Sequence, residues 1–440
     1  MLNNKKLTRT LLAAAATLLA GPALAQGLGN SPYSRLGLGD YQGNTGGVRQ
    51  LGMGGTGLAA PNSGNVNELN PALLYYTPRT TWEAAFTAQV KSLSNATSSQ
   101  QVSSGTLGYL ALAVPINKRW AAAAGLKPYS SVDYQATNTG IVNGDPNAVA
   151  YKQYSGSGGL SEAYFASGFH ILRDFNIGGS ASYFFGTIDQ STSTAIVTPT
   201  VPAQQLVVEN ETLRYSDFLF RASAHYRHHF SDKLNLNLAG VQTFQANLRA
   251  GRQRTTEQRD VNGSAISASV LLNDDAGYVL VPALTQLGVS FDNNSNWSAN
   301  VDVSRQKWSD FRSFSLVSSL PLADTWRVAA GGEYTPDPGS VEHYFQRVTY
   351  RAGVSLSQLP YQPAGRHLYE GAAHWGFSFP LPTATSLEST IISLGFMYGV
   401  RGNTDYVAGA GGESNVREHF VRMQVGATLS NRWFIKRRLQ

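Results

Sequence analysis

Between residues 79 and 430 apolar and polar side chains take turns, and the alternation divides into fourteen segments. From Asp174 onward, Phe175, Ile177, Gly179, Ala181, Tyr183 and Phe185 share one face, while Asn176, Gly178, Ser180 and Ser182 share the other. A period of two is that of a β-strand lying between two different surroundings. The same alternation recurs at Leu234-Asn235-Leu236-Asn237-Leu238 and at Trp297, Ala299, Val301 and Val303 against Ser298, Asn300, Asp302 and Ser304. The predicted strands run approximately over 79–92, 104–115, 118–131, 158–170, 174–187, 214–230, 233–247, 279–292, 295–308, 325–335, 344–357, 369–380, 386–398 and 417–429.

The joins between these segments sort by parity. Pro115 to Lys118, Leu172 to Asp174, Phe230 to Lys233, Asp292 to Asn296 and Pro380 to Thr385 are brief, whereas the joins near 93–103, 132–157, 188–213, 248–278, 309–324, 358–368 and 399–416 are long. A soluble sandwich has no reason to sort its turns this way, but an outer-membrane barrel pairs short periplasmic turns with long external loops. The pattern predicts an all-β chain, a 14-stranded antiparallel transmembrane β-barrel over 79–440. One join breaks the rule: Tyr334 to Tyr344 contains Pro336 and Pro338 and is read as an enlarged periplasmic turn.

Composition agrees with a barrel. A mean hydropathy of −0.20 with 44 glycines, 21 tyrosines, 19 phenylalanines and 7 tryptophans excludes a bundle of membrane helices but suits strands in which only every second residue must be apolar. Trp82, Trp120, Phe175, Phe230, Phe291, Trp297, Phe379 and Trp433 fall near strand ends on the side of the short joins, as an interfacial aromatic girdle does. There is no cysteine, so neither disulfides nor a cysteine metal site is available. Lys5, Lys6 and Arg9, the apolar run Leu11 to Leu19 and the small-residue site Ala23-Leu24-Ala25 form an expected signal peptide over 1–25. Without those three cations, 31 of the 34 basic residues face 28 acidic ones, scattered over turns and loops, so no nucleic-acid partner is expected.

Residues 26–78 lack sustained alternation and are rich in glycine. Leu51, Met53, Leu58, Leu69, Leu73 and Leu74 make this stretch too apolar for a disordered tail and predict a plug, or hatch, inside the barrel. Gly52-Met53-Gly54-Gly55-Thr56-Gly57 matches G-x-G-x-x-G formally, yet Pro61, Asn62, Ser63 and Gly64 stop any following helix, so it is not a dinucleotide site. His225, His228 and His229 lie on a strand, which separates them, and no metal or other cofactor is expected. There is no G-x-S-x-G elbow and no enzyme is expected, an outer-membrane lipase with a less stereotyped Ser and His being the one enzyme reading left open. Pro128, close to Gly125 in the third strand, is the oddest residue in the wall, because it lacks the N–H that a strand ladder needs; either it kinks the strand or the strand ends before it.

Four stretches resemble the FadL family of outer-membrane transporters for hydrophobic compounds: Gly52-Met53-Gly54-Gly55-Thr56-Gly57 leading to Asn70-Pro71-Ala72; Val301 to Phe311 with its Trp308-Ser309; Trp326 to Pro338; and Tyr350-Arg351-Ala352-Gly353-Val354-Ser355. The resemblance implies a hatch carrying Gly52, Gly54, Gly55, Asn70, Pro71 and Ala72, with the Asn-Pro-Ala element facing a lateral-opening kink at Gly125 and Pro128. It further implies an apolar capture groove on the external loops 188–213, with Val201, Leu206 and Val207, and 248–278, with Ile266 and Leu271. Leu73 stands where the family usually has glycine, and the chain ends on a basic tail after Trp433-Phe434-Ile435 rather than on an aromatic residue.

The expected function is passive uptake of hydrophobic or amphipathic compounds, such as long-chain fatty acids, across a Gram-negative outer membrane. Strand parity turns Arg221 and Arg227 into the lumen, where either can hold an anionic headgroup. Expected partners are outer-membrane lipid, the substrate, and the barrel-assembly machinery during biogenesis; the protein itself is expected to be a monomer. The alternative is a structural or secretion-associated barrel that binds partner proteins.

Overall fold

A computed structural model describes residues 31–431 except 36, 42–45, 143–144, 199–204, 232, 261, 315–321, 363–364, 384, 386–387 and 406–414. The signal-peptide region, Val201 and Trp433 therefore lie outside the described residues. A two-residue strand β1 (Asp40–Tyr41) precedes the wall, which is built from β2 (Thr80–Ser94), β3 (Ser99–Asn117), β4 (Trp120–Val142), β5 (Asp145–Leu172), β6 (Phe175–Val197) and β7 (Gln205–Ser231), then β8 (Leu234–Thr243), β9 (Ala246–Asp260), β10 (Ala265–Val281) and β11 (Leu284–Asp292), and finally β12 (Trp297–Gln306), β13 (Thr325–Tyr334), β14 (Thr349–Gln358), β15 (Tyr369–Leu381), β16 (Ser389–Arg401) and β17 (Arg417–Asn431). β8 and β9 form one wall strand, both pairing with β7. β10 and β11 form another, interrupted at Pro282, which has no N–H for the ladder. Every wall pairing is antiparallel, and β17 closes on β2 from Arg417↔Ser94 to Asn431↔Thr80, giving the 14-stranded barrel that the alternation predicts.

The alternation sorts inside from outside. Along β12, Trp297, Ala299, Val301 and Val303 are exposed and Ser298, Asn300, Asp302 and Ser304 are buried. Trp82, Phe86, Leu110, Phe165, Val289, Val354 and Val421 continue this exposed apolar belt around the barrel. A belt so large on a closed antiparallel wall is the surface of a barrel that crosses a bilayer on strands. No helix among the described residues is long and apolar enough to do so.

The strands overrun their expected ends. β4 and β5 stay paired to Val142↔Asp145, β6 and β7 to Thr194↔Val207, and β9 and β10 to Ala265↔Arg259, so much of what reads as long loops over 132–157, 188–213 and 248–278 is sheet. Beyond the membrane both faces of a strand meet water, and hydrophobic alternation no longer marks it. The other correction concerns the strand expected from 344: it begins at Thr349, and Tyr344–Gln346 is a single 3-10 turn within the enlarged join between β13 and β14.

Candidate functional site

Chain preceding the wall packs against the barrel's inner face. Gly47 precedes a helical turn, Val48–Leu51, and Asn70 caps a 3-10 helix, Pro71–Tyr76. The Asn70 side chain accepts from the Ala72 amide at 2.9 Å and donates to the Leu58 carbonyl at 2.8 Å, while Pro71 occupies the first helical position, where no N–H is needed. The Ala72 amide also reaches the Ser223 hydroxyl on β7 at 3.0 Å.

Glycines in the wall mark where this inner segment leans. A Cβ on Gly178 of β6 would stand 2.3 Å from the Ala72 nitrogen, and one on Gly168 of β5 would stand 2.4 Å from the Pro71 oxygen. On the opposite side, a Cβ on Gly331 of β13 would meet the Met53 oxygen at 2.1 Å, and one on Gly353 of β14 the Met53 carbonyl carbon at 2.4 Å. Gly54 and Gly55 have φ of 78° and 72°, which L-residues with side chains rarely adopt, and Gly52 approaches Gly376 of β15. Gly52, Gly54, Pro71 and Ala72 thus bring their backbones close against the wall. Pro71 and Ala72 lie against β5, β6 and β7, and Pro71 also lines a cavity with Ala123 and Lys127 of β4, while Gly46 and Glu68 line another with Pro128.

Buried charges pin the same segment. Arg49 and Arg351 flank Glu333, at 3.0 Å from Arg351, and Arg401 binds Asp40 at 2.9 Å and Glu370 at 2.6 Å. Burial opposes ionisation of Asp40, but the neighbouring Arg401 and Lys91 hold its carboxyl below the ordinary carboxylate range. Asp302 accepts from the Gly57 and Leu58 amides at 2.9 and 3.0 Å.

Pro128 lies inside β4, not beyond it. The β3–β4 ladder stops at Leu110↔Leu126, whereas β3 continues along β2 to Ser99↔Ser94 and β4 continues along β5. The β4–β5 register slips between Pro128 and Ser130, and Tyr129, Ser130, Ser131 and Val132 are all buried as the strand turns inward. β1 then pairs with Ser130 and Ser131. The result is a seam between β3 and β4. Behind it a small cavity of ≈ 30 Å³ is lined by Gly46, Glu68, Gly108, Tyr109, Lys127, Pro128 and Arg422. Lys127 sits between Glu68 at 3.5 Å and Glu162 at 4.0 Å. Gly125 is packed so that a Cβ would stand 2.6 Å from the Leu110 carbonyl oxygen and from the Tyr164 ring.

The two cations expected to meet a headgroup are already engaged. Arg221 donates to Thr243 at 3.3 Å and to the Glu68 carbonyl at 3.3 Å, and Arg227 pairs with Asp292 at 2.8 Å. Arg327 and Arg422, which are not among the expected site residues, have no carboxylate within ion-pair distance among the described residues and line a luminal cavity of ≈ 130 Å³ with Leu38, Trp308, Trp326 and Tyr361. Inward strand parity marks both. Leu206, Val207, Ile266 and Leu271 stand on the extended hairpins; Val207, Ile266 and Leu271 are 49, 54 and 52% exposed.

The family model for BamG matches residues 7–440. Among solved structures, the chain is similar to a Pseudomonas aeruginosa FadL homologue (15% identity, TM-score 0.58, covering 89% of this chain and 99% of that one). It is also similar to the Pseudomonas putida toluene transporter TodX (16%, 0.54, 90% and 100%) and to the CymD monoaromatic hydrocarbon channel (15%, 0.53, 91% and 100%). No curated protein sequence matches. At these identities the solved structures share the fold, that of a FadL-like barrel, while the match along nearly all of the sequence shows that the chain belongs to the BamG family.

Proposed function

We propose that this barrel resides in the outer membrane and takes up hydrophobic or amphipathic compounds passively, long-chain fatty acids among them, releasing them sideways through the β3–β4 seam. The observation that carries this reading is the end of the ladder at Leu110↔Leu126, with Pro128 turning β4 inward over a cavity. Sideways release keeps apolar surface out of water, at about 25 cal/mol per Å². The fold shared with proteins described as hydrocarbon channels and a toluene transporter supports it. The segment before β2 acts as the hatch: it fills the middle of the lumen and leaves the seam as the way out. Pro128→Ala restores a ladder donor and should cut uptake of a radiolabelled fatty acid severalfold with barrel content unchanged; uptake at the parent rate would refute seam release.

A second reading has its own support. The family name BamG points to barrel assembly, and a lumen filled by pinned chain suits a scaffold as well as a channel. On this reading the barrel holds partner proteins of the assembly machinery. Stoichiometric co-purification with them, alongside normal hydrophobic uptake in a deletion strain, would favour it over transport.

A further inference from the structure

The enlarged join between β13 and β14 breaks the economy of the other periplasmic turns, and it is built rather than slack. The Asp337 amide donates to the Gln346 carbonyl at 2.9 Å, the Thr335 and Thr349 hydroxyls meet at 2.8 Å, and the Arg347 guanidinium lies 5.1 Å from the centre of the Tyr344 ring. This scaffold nevertheless holds apolar side chains outward: Val341 is 91% exposed and Phe345 71%.

The two sides of the turn face different surroundings. Arg347 lines the polar mouth of the lumen together with Asn294, Thr349 and Arg351. The Phe345 carbonyl, by contrast, accepts from the phenol of Tyr350 at 3.2 Å, and Tyr350 is an outward residue of β14 whose ring meets Phe377 at 5.9 Å. Phe377 in turn lies 6.3 Å from Phe379. The backbone of Phe345 is thus tied to the aromatic rim of the lipid-facing belt, while its exposed ring packs edge to face on Tyr344 at 5.8 Å. Aromatic rings are favoured at that depth, between headgroups and hydrocarbon, and an exposed phenylalanine in water is not.

The geometry points to the periplasmic leaflet as the occupant of this surface: the turn over 335–348 is a membrane anchor that inserts Phe345 among the lipid headgroups, fixing the barrel's depth beneath β13 and β14. The inference rests on the barrel crossing a membrane and not on what it carries, so a failure of the uptake reading leaves it standing.

The chain has no cysteine, so Phe345→Cys gives a unique labelling site in the full-length protein, with Glu342→Cys as a control on the same turn. Each variant carries a nitroxide and is reconstituted in phosphatidylethanolamine–phosphatidylglycerol vesicles, with circular dichroism reporting the barrel. Collisions with oxygen, which concentrates in lipid, should exceed those with a water-soluble nickel chelate severalfold at 345, and the order should reverse at 342. Nickel access at 345 equal to that at 342 would overturn the anchor. Exclusion of both reagents at 345, as when a second copy or another protein covers it, would overturn it too.

Discussion

Gly331 and Gly353 face each other across β13 and β14, and the inner segment's backbone at Met53 and Gly54 lies against both. A methyl group at either position has backbone in its way, not the movable end of a side chain. Gly353→Ala should therefore lower stability by about 1–3 kcal/mol, the usual cost of overpacking, whereas Gly140→Ala, with open space around it, should be silent. Urea titration of the refolded barrel separates the two. Removing Glu333 strands two buried guanidiniums, those of Arg49 and Arg351, and Glu333→Ala should cost about 3–5 kcal/mol in the same titration. Asn70→Ala deletes a cap and should cost about 1 kcal/mol.

At the scale of elements the β3–β4 seam is the informative boundary. Beyond Leu126, β4 keeps β5 as a neighbour but loses β3; among the described residues its other side is met by β1 at Ser130 and Ser131 and by Ser31 and Ser34 at Asp133. Between Lys127 and Val132, the amides that point away from β5 and find no partner in β1 should exchange hydrogen faster than those at the same height in β5 and β6, which have a ladder on both sides; equal protection would mean that the seam is closed in solution. Pro128 made this boundary legible in the sequence, because a proline in a wall strand has few physical explanations. The fourteen wall strands were legible for a related reason: lipid on one side and a polar lumen on the other impose a period of two. Hairpins beyond the membrane carry no such imprint, so the extensions through Val142, Val197 and Asp260 read as loops. The grip of the inner segment was legible least. Gly168, Gly178, Gly331 and Gly353 come from four different strands, and only the register shows that all four receive the same piece of chain.

For the molecule as a whole, the described lumen is more a core than an open pore. Leu38, Tyr129, Leu160, Phe184, Leu213, Leu248, Trp308 and Phe311 form one buried cluster on the side of the long joins, and the inner segment fills the middle. On the proposed reading such an interior would direct passage to the wall, which is why uptake and the seam stand or fall together. The direct measurement is uptake of a radiolabelled long-chain fatty acid, and of toluene, by a deletion strain carrying the parent gene, the Pro128→Ala gene or neither. Deletion is expected to lower uptake, and the parent gene but not Pro128→Ala to restore it. Uptake indifferent to deletion, with barrel-assembly proteins co-purifying in stoichiometric amounts, would contradict the uptake reading and establish the scaffold reading instead.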